Sequence, residues 1–150
     1  MTTDWTYNNE PMTEIEPSVI GFIYIINQIS TGKKYIGKKH TFFKKTSIKT
    51  VTLKSGEKRK KKIRSLVPSD WVTYYGSSES LKLEIEKCGK EDFTREIIRL
   101  CSTESSLTYY EAREQFVSDC LLKPDEFFNS WIMCRVRRDH LIKGEKCATD

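Results

Sequence analysis

The stretch Val19–Ile26 (VIGFIYII) is an almost unbroken run of β-branched, aromatic and aliphatic side chains. A run this short, bounded by turn formers, is a buried strand. Asn27–Lys34 (NQISTGKK) carries the Ser-Thr-Gly signature of a turn, and Tyr35-Ile36-Gly37 resumes extended structure. The pattern predicts a β-hairpin with a loop of several residues, and the rest of the chain must fold around it.

Downstream, helices and strands mix. Trp71–Ser78 (WVTYYGSS) is aromatic and ends in a turn. There Ser77 or Ser78 can cap a helix reaching about Cys88. Leu81, Ile85 and Cys88 share its apolar face, and Gly89 suits its end. Phe93–Cys101 (FTREIIRLC) reads as a central strand. Ser102 or Thr103 then caps a second helix reaching about Leu122, which Pro124 prevents from extending. Trp131–Val136 reads as a last strand. Residues 1–18, polar and containing Pro11 and Pro17, read as an irregular lead-in. The expected class is α+β, a small and partly antiparallel sheet with helices packed on it. A length of 150 residues fits one domain, placed at 19–138, with a basic insert at 41–68 and a tail at 139–150.

Charge is segregated. From Lys33 to Arg64 fourteen Lys and Arg face one acid, Glu57, a balance of +13; the other 118 residues carry −8, within a total of +5. A mildly acidic body bearing one strongly basic segment is the footprint of a polyanion partner. Within the segment, Ser55-Gly56-Glu57 predicts a turn and Thr50–Leu53 a short strand, hence a small hairpin or flap. No apolar run approaches the ~20 residues of a membrane span. Met1–Glu10 lacks the basic residues of a signal or transit peptide. Five scattered cysteines without a CxxC pair, and two histidines, point away from a disulfide framework or structural zinc and toward a reducing, cytoplasmic setting.

At 100° per residue, Leu107, Tyr110, Val117 and Leu121 fall in one arc of the second helix, and Glu114 lies at its edge with Glu111 further round. An inward carboxylate is costly unless it is paired or binds a cation. Glu114 is therefore a salt-bridge partner, a metal ligand or a general base. Hard oxygen ligation without a Cys/His cluster suits Mg²⁺. Tyr24 and Tyr35 lie in neighbouring strands, an arrangement that by itself is cross-strand packing.

Gly21-Phe22-Ile23-Tyr24, a ten-residue interval and Tyr35-Ile36-Gly37 resemble the paired signature of the GIY-YIG nuclease family. Ala112-Arg113-Glu114-Gln115-Phe116 is similar to the glutamate segment of phage homing endonucleases, and Asn129 fits the asparagine that follows it. The Ser78–Gly89 helix followed by Phe93-Thr94-Arg95-Glu96 also looks similar. The resemblance covers about residues 20–130. It implies a three-stranded antiparallel sheet flanked by helices. It implies hydrolysis of double-stranded DNA with one Mg²⁺ (or Mn²⁺) ion, in a phage homing-type or restriction-like role. By resemblance Tyr24 is the general base, Tyr35 its partner, Glu114 the metal ligand and Asn129 an orienting group. The family's usual arginine, about ten residues past the second tyrosine, is replaced by Lys45. Lys39, Arg64 or Arg95 could supply that cation. Gly76 stands where some relatives carry a histidine, so His40 or Tyr75 could take that part.

The insert's cations, with Lys38, Lys44, Lys58, Arg59, Lys60, Lys61, Lys62 and Arg64 foremost, would neutralise phosphates without reading sequence. Trp71, Tyr74 and Tyr75 either stack on bases, line the active-site wall or pack where the insert rejoins the sheet. A monomer or transient dimer is expected. The rival classes are an inactive DNA-binding protein that keeps the fold and a basic RNA-binding protein.

Overall fold

The computed structural model describes residues 5–149, with side chains described up to Lys143. The expected hairpin forms from β3 (Gly21–Gln28) and β4 (Lys34–His40), paired antiparallel from Gly21↔His40 to Asn27↔Lys34. On its other side β3 pairs antiparallel with the strand Phe93–Cys101, numbered β7 in chain order. That register slips between Ile23 and Tyr24, leaving Ile98 as the extra residue of a bulge beside Tyr24.

The sheet does not stop at three strands, as expected, but has five in mixed orientation. β1 (Trp5–Tyr7) runs parallel to β7, and β2 (Glu10–Pro11) pairs with β1, giving the order β2-β1-β7-β3-β4. One residue draws the supposedly irregular lead-in into the sheet. Trp5 is 1 % exposed, packs edge-on against Phe22 and Tyr24 with ring centroids 5.2 and 5.3 Å away, and donates its indole N–H to the Trp71 carbonyl at 2.7 Å. Burying so large an aromatic outweighs the polarity of its neighbours.

Each face of the sheet carries one half of the core. On one, Phe22, Tyr24, Ile26 and Ile97 pack with Trp5 against Leu81 and Ile85 of α1 (Glu79–Cys88). Ser78 caps α1 by accepting from the Leu81 N–H, and Gly89 ends it at φ +85°. On the other, Ile23, Ile36 and Cys101 meet Leu107 and Tyr110 of α2 (Glu104–Val117), whose cap is Thr103. α2 stops at Val117, short of the expected Leu122, and Asp119 at φ +52° turns the chain away.

The expected final strand over 131–136 is irregular, and Trp131 and Met133 are exposed. Upstream the chain touches the β4 edge only briefly: the Lys34 N–H donates to the Glu126 carbonyl at 2.9 Å, the Phe128 N–H donates to the Lys34 carbonyl at 2.8 Å, and Asn129 then occupies the edge with its side chain. The segment read as a tail is the helix α3 (Arg138–Thr149).

The basic insert is larger and more regular than a flap. β5 (Phe42–Thr52) and β6 (Lys58–Pro68) form a separate two-stranded ribbon, paired from Phe42↔Pro68 to Thr52↔Lys58 around the expected Ser55-Gly56-Glu57 turn. Its root is fixed. Thr41 is buried, its hydroxyl donating to the Val19 carbonyl at 2.7 Å, while the Ser69 hydroxyl donates to the His40 carbonyl at 2.6 Å.

Candidate active site

A cavity of about 730 Å³ opens at the free edge of β4, and its walls come from β4, the start of α1, α2 and the irregular segment 128–133. β4 supplies Tyr35 and Lys38. The approach to α1 and its first turn supply Ser77 and Ser78. α2 supplies Glu111 and Gln115, and Asn129 lines the cavity with Phe128, Trp131 and Met133 beside it.

The tyrosine pair depends on a glycine. Tyr24 lies directly across from Gly37 in the hairpin. A Cβ on Gly37 would stand 2.6 Å from the Tyr24 hydroxyl and 3.0 Å from the Tyr35 ring, so only glycine lets the two phenols lie over that strand. The rings of Tyr24 and Tyr35 are 6.1 Å apart, and Tyr74 approaches Tyr24 at 6.0 Å. Only Tyr35 reaches the cavity wall; its hydroxyl lies 3.2 Å from that of Ser77. Tyr24 stands one ring behind. Burial, reinforced by the neighbouring phenols, pushes the Tyr24 hydroxyl well above the ordinary tyrosine pKa. Burial also raises Tyr35, against the opposing hydrogen bond from Ser77. Both are protonated at neutral pH.

Two carboxylates line the cavity, Glu79 in the first turn of α1 and Glu111 on α2; Glu79 is exposed, and Glu111 is the one that is largely buried. Glu114, the residue picked out by resemblance, is half-buried on α2 and outside the cavity wall. The arc drawn from sequence leaned on Val117, which is 74 % exposed, and on Leu121, which lies past the helix end. The face that is buried carries Ser106, Leu107, Tyr110 and Gln115. Polar residues share that face, so counting apolar ones alone did not mark Gln115 as buried. The usable signal was Glu111 and Gln115, four residues apart on one side of the helix. Burial raises the Glu111 pKa, and it does so despite Lys38, whose ammonium is 3.4 Å from the carboxylate.

Lys38 is also the cation nearest this carboxylate, and it donates to the Thr108 hydroxyl at 3.1 Å. The other candidates for the missing arginine stand elsewhere. Lys39 points to the opposite face, where it binds Asp70 at 2.6 Å and lies 3.8 Å above the Tyr74 ring. Lys45 and Arg64 are on the exposed ribbon, with Lys44, Lys58, Arg59, Lys60, Lys61 and Lys62. Arg95 is buried, donating to the Val72 and Tyr74 carbonyls. His40 pairs with Glu104 at 2.9 Å, and Tyr75 is stacked under Arg95 at 4.2 Å; neither lines the cavity.

Asn129 joins the site through the backbone. Its amide oxygen accepts from the Ile36 N–H at 3.0 Å and its amide nitrogen donates to the Ile36 carbonyl at 2.8 Å. Gln115 donates to the same carbonyl at 3.0 Å. Both amides thus saturate the strand edge between Tyr35 and Gly37.

Among the described residues no three His, Cys, Asp or Glu side chains gather into a ready-made cage. A hard divalent ion does not require one, since it is commonly held by one or two carboxylates with water and phosphate oxygens. The desolvated Glu111, with a single lysine as its counter-charge, is a donor of that kind.

A mixed sheet whose first hairpin sets two tyrosines over a glycine, beside a carboxylate on the crossing helix, defines a GIY-YIG nuclease domain. The model of the family described as "Putative endonuclease segE, GIY-YIG domain" matches residues 5–132, and the chain belongs to that family. The match begins at Trp5, the residue that extends the sheet. No curated protein and no solved structure matches the chain. Among the described residues no helix is long and apolar enough to cross a membrane.

Proposed function

We propose that this chain is an endonuclease that hydrolyses phosphodiester bonds of duplex DNA with one Mg²⁺ or Mn²⁺ ion, and that Glu111 rather than Glu114 holds the ion. The observation that carries the reading is the convergence of Tyr35, Lys38 and Glu111 on one cavity, with Tyr24 directly behind. When bound, the ion polarises a phosphoryl oxygen and steadies the leaving oxygen.

The chain's own groups do the rest. Lys38 exchanges its contact with Glu111 for a phosphate oxygen once the carboxylate is engaged elsewhere. It acts as a point charge where an arginine would grip with two donors. The Tyr35 hydroxyl takes a proton from the attacking water. Because Tyr35 is protonated at rest, it must pass its own proton on as it accepts one, and the Ser77 hydroxyl offers the outlet to solvent. Tyr24 fixes the Tyr35 ring, and Asn129 fixes the strand beneath it. The amino-terminal end of α1, which lines the cavity, adds its positive dipole end toward the phosphate.

Supercoiled plasmid incubated with Mg²⁺ tests the reading. Wild type should nick or linearise it, EDTA should stop the reaction, and Tyr35→Phe should slow it by about 10²–10⁴-fold, the worth of a positioned proton acceptor. A wild-type chain that leaves plasmid intact under every divalent ion overturns the proposal.

A further inference from the structure

The ribbon β5–β6 is built unlike the rest of the molecule. Each strand has eleven residues. At about 3.3 Å per residue it extends roughly 35 Å, close to one turn of duplex DNA. It pairs only with itself, and its side chains are exposed along most of both strands.

Its register decides where the charges go. Pairing of Thr46 with Arg64 and of Ile48 with Lys62 puts Lys44, Lys58, Lys60, Lys62 and Arg64 on one face. The alternate pairs put Lys45, Lys49, Arg59 and Lys61 on the other. Neither strand carries an acid. An arm that lay flat on a polyanion would concentrate its cations on one face. Loading both faces, five cations against four, means phosphates are met on both sides at once, as they are between the two backbones that flank a groove. Lys49 lies directly opposite Lys61, a like-charge pair that weakens the free ribbon and that bound phosphate would relieve. A lone two-stranded ribbon is itself marginal in water.

We infer that this arm is a DNA-docking element that inserts as a β-ribbon into the major groove, next to the cleavage site. The inference rests on duplex DNA being the substrate. The major groove of B-form DNA, about 12 Å wide, admits a two-stranded ribbon as it stands, whereas the minor groove, about 6 Å wide, takes one only when the duplex is bent and opened. In A-form RNA the major groove is too narrow for side chains to read. The clamps at the root, Thr41 on Val19, Ser69 on His40 and Lys39 on Asp70, fix the arm's direction relative to the cavity at the β4 edge. Arg59 and Arg64, on opposite faces, are the side chains able to grip guanine O6 and N7 with two donors.

The test is made on the full chain in EDTA, so that it does not depend on cleavage. Dimethyl sulfate probing of a bound DNA duplex should show guanine N7 protected, in the major groove, and adenine N3 unprotected, in the minor groove. A shortened arm, with residues 47–63 replaced by Asn-Gly, should lose the N7 protection. Two triple variants separate groove from surface: Lys58→Gln, Lys60→Gln, Lys62→Gln on one face, and Lys45→Gln, Lys49→Gln, Lys61→Gln on the other. Each should lower the log–log salt slope of binding by about 2.7, the worth of three released counterions. Adenine N3 protection, a slope that responds to one face alone, or duplex RNA binding as tightly as DNA each overturns the inference. N7 protection by a chain that never cuts would uphold it while removing the endonuclease reading.

Discussion

Glu111 is where function and stability pull apart. In the folded chain it holds its proton more tightly than in the unfolded chain. Its ionisation therefore costs stability that is absent below the ordinary glutamate pKa and grows as the pH rises above it. Glu111→Gln should melt a few degrees higher than wild type at pH 8 and level with it at pH 4. Differential scanning calorimetry at the two values checks the sign, and an equal or lower melting temperature at pH 8 would refute it. Such a trade is usual for a group kept for chemistry. At Gly37 the constraint is steric instead. Gly37→Ala should leave the chain folded but displace both phenols, and plasmid cleavage should fall at least as far as for Tyr35→Phe. That the two tyrosines lie in neighbouring strands was legible in the sequence from the hairpin pattern, their part in a site came from the resemblance, and the need for glycine at position 37 shows only in the fold. Glu111 was read only as lying further round the helix than Glu114, because residue type alone does not say which polar side chains a helix buries.

The strands and helices that hold the site follow from local patterns. The VIGFIYII run, the Ser78 and Thr103 caps and Gly89 mark their positions in the folded chain. What escaped is carried by single long-range contacts. Trp5 joins a polar segment to the sheet through packing on Phe22 and Tyr24, which no local window contains. Trp5→Ala should cost about 3–5 kcal/mol, as large aromatic truncations in cores do, in urea unfolding. A loss under 1 kcal/mol would mean that β1 is ornamental. Asn129 likewise ends strand pairing at the β4 edge by occupying both backbone groups of Ile36, so the apolar Trp131–Val136 segment has no ladder to join.

The molecule as a whole separates holding from cutting. Its acidic body contains the cavity and both halves of the core, while most of the excess positive charge lies on a ribbon outside them. Composition along the chain made that division visible, but the alternation that loads both faces required the strand register. Since the ribbon buries almost nothing against the body, shortening it should leave the melting temperature within about a degree of wild type while weakening DNA binding. A large drop in melting temperature would show that the arm supports the fold. In the proposed function, catalysis runs through the cavity at the β4 edge, with Glu111 as the carboxylate that holds the ion. Plasmid cleavage in Mg²⁺ by Glu111→Gln and Glu114→Gln, side by side with wild type, tests it most directly. Glu111→Gln should lose cleavage while still binding DNA, and Glu114→Gln should cut at close to the wild-type rate. Normal cutting by Glu111→Gln, with activity lost in Glu114→Gln, would contradict it.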